Sequence, residues 1–127
     1  MYSLIPKIYT MNRFSRLVAL VVALLAISSC GGPMPPQRNL TVVATEMAFT
    51  PNRLEAKVGD QIFLTFDNKG KLDHNLVINF AYGTRVISSQ AGVSAVLAFP
   101  AREAGTFTFY CDLPGHAAQR GVLVVAP

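Results

Sequence analysis

Cysteine and histidine are scarce in this chain, with two of each among 127 residues. No C-x-x-C pair occurs and no second cysteine lies near Cys111, which excludes zinc ribbons, iron–sulfur clusters and thioredoxin-type chemistry. Cys30 and Cys111 sit in such different neighbourhoods that separate jobs are expected for them. Without a disulfide, a small domain depends on its core and on any metal it holds. Charged residues make up only 14% of the chain, and the formal +4 is misleading. Lys7, Arg13 and Arg16 precede an apolar run, and from Cys30 onward eight basic side chains face seven acidic ones. No basic cluster remains to follow a phosphate backbone, so nucleic acid is excluded as a partner. A sustained helical period is also missing after residue 27, as is a long hydrophobic run. Residues 17–27 (LVALVVALLAI) are wholly apolar, but eleven residues fall far short of the roughly 20 that span a bilayer.

What that short run does fit is the core of a secretory signal. Ser28 and Ser29 follow it, directly before Cys30 and Gly31. The run Ile27-Ser28-Ser29-Cys30 resembles the bacterial lipoprotein signal, which implies residues 1–29 as a removed signal peptide and Cys30 as the lipidated first residue. An ordinary signal peptide cleaved near the same place, or a retained anchor, is the alternative. Met11 is a candidate start, because Arg13 and Arg16 alone make a basic leader. Arg13 and Arg16 are not adjacent, so export is expected to be unfolded, with metal acquired outside. Residues 30–38 then form a lipidated N-terminus and tether, since residues 31–38 (GGPMPPQR) hold three prolines and two glycines and favour an extended spacer. The expected location is extracytoplasmic, at the periplasm or outer surface, anchored by lipid.

Residues 39–127 read as one domain, being too few for two. Leu40, Val42 and Ala44 alternate with Thr41, Val43 and Thr45, and Ile62, Leu64 and Phe66 with Phe63 and Thr65. Further strands are expected at residues 54–58, 74–80 and 93–99, with Pro100 ending the last. Residues 82–91 are ambiguous, because Gly83, Ser88 and Ser89 suggest loop. The six phenylalanines 63, 66, 80, 99, 107 and 109 are expected in the core. Seven or so short strands with frequent turn signals predict an all-β, antiparallel Greek-key β-sandwich.

The richest stretch is residues 105–125, GTFTFYCDLPGHAAQRGVLVV. An alternating strand delivers Cys111, a short loop with Pro114 and Gly115 turns to His116, and Gly121 opens a returning apolar strand. A C-x4-H pair by itself is a weak signal. His74 opens one expected strand and Cys111 closes another, however, so a sandwich can gather His74, Cys111 and His116 at one pole. Two imidazoles and one thiolate, with a weak axial fourth ligand, are the donor set that holds copper in electron-transfer sites.

Over residues 40–126 the sequence resembles the cupredoxins, the blue copper proteins of the plastocyanin and azurin type. The matching elements are Phe49-Thr50-Pro51, Val58-Gly59-Asp60, His74-Asn75, the strand into Cys111, Pro114-Gly115-His116 and the closing strand after Gly121. The resemblance implies one copper ion, cycling between Cu(I) and Cu(II), with His74, Cys111 and His116 as its equatorial ligands. It departs from most members at the axial position, where Gln119-Arg120-Gly121 stands in place of a methionine motif. Gln119 is then the axial candidate through its amide oxygen, as in stellacyanin-like members. The alternative is a Gln119 pointing to solvent and a three-coordinate ion. Around the ligands, Asn75 is expected to bond across to Asp112, and Pro114 to stiffen the loop. His116 is flanked by Leu113, Pro114, Ala117 and Ala118, a small apolar patch on which redox proteins would dock briefly. The implied function is a monomeric, membrane-tethered single-electron shuttle and not an enzyme. The alternative is an extracytoplasmic copper chaperone or storage protein.

Overall fold

The computed structural model describes residues 31–127, so Cys30 and the signal segment lie outside the described residues. Residues 31–36 carry no regular structure. Nine strands follow: β1 Gln37–Ala44, β2 Phe49–Thr50, β3 Arg53–Lys57, β4 Gln61–Asn68, β5 His74–Phe80, β6 Gly83–Ser89, β7 Ser94–Pro100, β8 Gly105–Tyr110 and β9 Arg120–Ala126. No helix among the described residues is long and apolar enough to cross a membrane. β1 starts at Gln37, two residues inside the stretch read as tether, because Gln37 and Arg38 already pair with Gln61 and Ile62 of β4.

The strands form two sheets, a four-stranded one in the order β2-β1-β4-β7 and a five-stranded one in the order β3-β9-β8-β5-β6. The expected β-sandwich is present, but its sheets are mixed and not purely antiparallel. β1 runs parallel to β4 and β3 runs parallel to β9. Alternation of side chains has the same period in parallel and antiparallel strands, so the pattern carried no information on direction.

Period-two alternation sends Val42, Leu64, Phe66 and Phe99 from one sheet, and Leu76, Ile78, Phe109 and Leu123 from the other, into a shared core. Burying one such side chain contributes about 1.5–3 kcal/mol. The described ion pairs, Arg53–Glu55 and Lys69–Asp67, are exposed on at least one side, where water and salt screen them and leave little net stabilisation. Packing therefore holds the domain. Four of the six phenylalanines, 66, 80, 99 and 109, are buried, and Phe107 packs against them half-buried. Phe63 is the exception. It is one residue out of phase with Ile62, Leu64 and Phe66, so the pleat turns it to the outer face.

The ambiguous residues 82–91 contain the edge strand β6, which pairs along the whole of β5 from His74↔Ser89 to Phe80↔Gly83. Ser88 and Ser89 hid it: Ser88 faces solvent, and Ser89 is buried with its hydroxyl bonded to backbone carbonyls.

Candidate metal centre

β5 begins with His74 and β8 ends one residue before Cys111. The two strands are antiparallel neighbours, with Val77 opposite Tyr110 and Ile78 opposite Phe109, so that register brings the start of one beside the end of the other. Alternation along β8 places Cys111 on the same inward face as Phe109. After Cys111 the chain makes two successive turns, closed by His116 N–H to the Leu113 carbonyl at 3.2 Å and Gln119 N–H to the His116 carbonyl at 2.9 Å. In the first turn Pro114 holds the second position and Gly115 the third, with φ +84°. That combination is a type II turn, in which the third residue needs positive φ and proline presets the second. Cys111 N–H donates to the Gln119 carbonyl at 3.1 Å and closes the loop at its neck.

The result is a gathered donor set. One donor atom each from His74, Cys111 and His116 lies within 4.8 Å of the others. His74 Nδ1 stands 3.2 Å from His116 Nδ1, and Cys111 Sγ stands 3.4 Å from the same nitrogen. Cys111 is a free thiol. Two imidazole nitrogens this close share either a proton or a cation, since two bare lone pairs would repel. His74 and Cys111 are buried, whereas His116 is half-buried between exposed Pro114, Gly115, Ala117 and Ala118. Arg120 is exposed, and its Nε donates to the Ala117 carbonyl at 3.1 Å.

The supporting contacts agree with the expectation for Asn75. Its Nδ2 donates to Asp112 Oδ1, and Asp112 N–H donates back to Asn75 Oδ1 at 3.0 Å. This reciprocal pair ties the start of β5 to the residue after Cys111. Gln119 does not point to solvent. It is completely buried, its Nε2 donates to the Thr45 carbonyl, and its Oε1 has no hydrogen-bond partner. An unpartnered buried acceptor beside a soft-and-imidazole donor set is what a fourth, weak metal contact would satisfy. The residues present therefore fit a copper ion.

Tyr82 does not line this site. It follows the end of β5 opposite to His74, stacks on Phe80 at 4.9 Å and donates its hydroxyl to the Pro100 carbonyl at 3.1 Å. Arg85 and Arg102 lie over its ring at 5.7 and 5.3 Å, so these two are packed on an aromatic face.

Two contributors to the site escaped sequence reasoning. Asn68 is fully buried, its Nδ2 donating to the Leu72 and Ser89 carbonyls at 2.9 and 3.1 Å and its Oδ1 accepting from Gly70 N–H at 2.9 Å. It stitches the loop before His74 to β6. Glu46 is the second, accepting from Lys71 N–H in the same loop. The Asp67-Asn68-Lys69-Gly70 run has ordinary turn chemistry, and nothing local distinguishes a buried asparagine there from an exposed one.

Burial pushes the His74 imidazole below its ordinary 6.5, and repulsion from His116 acts the same way, against smaller opposing effects of Glu46, Gln119 and Asp73. The unfolded chain therefore takes up the proton first as pH falls. Stability from this group is fully present above the unfolded value and is lost as pH drops through the lower folded one. The metal-free protein should accordingly melt at a lower temperature at about pH 5 than at about pH 7. A flat melting profile across that window in calorimetry would remove His74 as the responsible group.

A sequence profile described as the Cupredoxin-like domain matches residues 17–125. No curated protein matches the sequence. Among solved structures, the chain is similar to dithionite-reduced auracyanin from Roseiflexus castenholzii, with 21% identity, TM-score 0.64, and coverage of 76% of this chain and 100% of that one. It is similar to auracyanin A, a blue copper protein from Chloroflexus aurantiacus, with 19% identity, TM-score 0.61, and coverage of 70% and 98%. A copper-containing nitrite reductase from Thermus scotoductus aligns at 25% identity and TM-score 0.61, covering 72% of this chain but 28% of the enzyme.

Proposed function

The chain belongs to the cupredoxin-like domain family, and from that premise we propose that it is a type 1 copper protein that carries single electrons between redox proteins outside the cytoplasm. The observation that carries this reading is the pair of imidazole nitrogens 3.2 Å apart with the lone thiol 3.4 Å from one of them. His74, Cys111 and His116 would hold one copper ion, which supplies a Cu(I)/Cu(II) couple when bound. The chain's own part is to keep the three donors gathered, so that little rearrangement accompanies a change of charge. Asn75 and Asp112 brace the two strand ends, while the Pro114–Gly115 turn fixes where His116 stands.

The partner surface is the rim of half-buried Leu113 and exposed Pro114, Ala117 and Ala118 around half-buried His116. Small apolar side chains suit brief docking, and the ring edge offers a short route inward. Burial of His74 and Cys111 weighs against the alternative of a copper chaperone or store, which must surrender its ion to a partner. The likeness to a nitrite reductase is a likeness of one domain to about a quarter of a larger enzyme. Both histidines of this chain lie in the one site, so we read the protein as a carrier and not an enzyme.

Adding Cu(II) to the reduced, metal-free protein should produce an intense visible absorption from thiolate to copper; a protein that refuses copper would end the proposal. Gln119 would supply a fourth, weak contact through its unpartnered Oε1. An oxygen donor favours Cu(II), so Gln119→Met should raise the reduction potential and alter the electron paramagnetic resonance spectrum. No change in either would take Gln119 out of the coordination sphere. Tethering rests on Cys30 as a lipidated residue following the removed signal 1–29, with residues 31–36 as spacer, and the intact mass of membrane-extracted protein decides it. A mass without acyl groups would refute the anchor.

A further inference from the structure

His74 presents its two ring nitrogens to different surroundings. Nδ1 faces His116, while Nε2 faces away from the donor cluster, 3.5 Å from Gln119 Nε2. Directly behind Nε2 lies Gly70, which is buried. A side chain on Gly70 would put its Cβ 2.9 Å from His74 Nε2 and 3.2 Å from both Asn68 Oδ1 and Glu46 Oε1. Non-bonded carbon contacts are comfortable near 3.5–4.0 Å, so something would have to move.

The backbone does not demand glycine there. Five glycines of the described residues have positive φ, and Gly70 is not among them. Its missing side chain is thus explained by what stands opposite. Asn68 cannot yield readily, because its amide holds three hydrogen bonds. Glu46 is held by Lys71 N–H. The imidazole is what would be displaced, and its Nδ1 edge already stands 3.2 Å from His116 Nδ1.

We infer that Gly70 is a positioning residue for His74: the slot left by its absent side chain seats the Nε2 edge of the ring and thereby sets where Nδ1 stands against the other two donors. A metal-binding histidine is generally oriented through its second nitrogen. Here a cavity shaped by a glycine performs that orientation. The inference rests on the copper reading above only for the name of the ion.

The test compares the full chain with its Gly70→Ala variant. The variant should keep the parent's circular dichroism, yet bind Zn²⁺ and Cu(II) about 10–100-fold more weakly, the usual loss when support behind a ligand is altered. Its copper electron paramagnetic resonance spectrum, recorded well below the melting temperature, should also shift. A purely structural role would lower the melting temperature and leave affinity and spectrum alone, and that result overturns the inference. If the variant does not fold, the metal-free parent decides. A single set of sharp His74 ring resonances in long-range proton–nitrogen spectra, with the same ring orientation after Zn²⁺ is added, supports the slot; a ring averaging between orientations refutes it. A parent that takes up no copper refutes the copper reading instead, and the ring resonances still judge the slot.

Discussion

Cys111→Ser is expected to abolish the visible absorption of the copper-loaded protein completely. The band depends on charge moving from a thiolate to Cu(II), and a coordinating thiol is deprotonated outright, whereas an alcohol stays a hard, neutral donor. Cys111 is the one cysteine among the described residues and is buried beside His116, so no other thiol among them can take its place. The substitution is close to isosteric and Cys111 lies just past the end of β8, so the domain should still fold. Absorption titration with Cu(II) and circular dichroism of the same sample provide the check. Colour that persists in the serine variant would overturn the ligand assignment.

Phe109→Ala should cost about 3–5 kcal/mol of folding stability, as truncation of a buried phenylalanine does. Phe109 is fully buried, and its ring lies 6.0 Å from that of Phe49. It also fills the space beside Gly121, its partner across β8 and β9: a Cβ on Gly121 would fall 2.3 Å from the Phe109 ring. Removing the ring opens a cavity two residues from Cys111, at the root of the ligand loop. Urea denaturation of the metal-free protein should show a lower midpoint with little change in slope. With copper bound, part of the loss should be offset, because an ion that binds only the folded state stabilises it by mass action. A loss under about 1 kcal/mol in the metal-free protein would mean that the core closes over the gap.

The two substitutions act on β8 and the residue that follows it, and they show why this stretch was legible. β8 alternates cleanly, so Phe109 and Cys111 share an inward face on pattern alone. Pro114-Gly115 names its turn type by chemistry, and the scarcity of histidine left only two candidates to join the thiol. Elsewhere the same reading failed for physical reasons that can be named. β6 was obscured because a serine can be buried when its hydroxyl finds a carbonyl, as Ser89 does. Asn68 looked like an ordinary turn residue, although its amide spans from Leu72 to Ser89 in β6.

The amino-acid order by itself settled the secondary-structure type and the sandwich class and picked out three candidate donors, since these depend on local period, on turn chemistry and on which side chains can bind a soft metal at all. Strand direction, the burial of Gln119, the role of Asn68 and the slot at Gly70 were decided only in three dimensions. Each of those is a relation between residues far apart in the chain, fixed by sheet pairing and close packing, and no single residue's neighbours carry it.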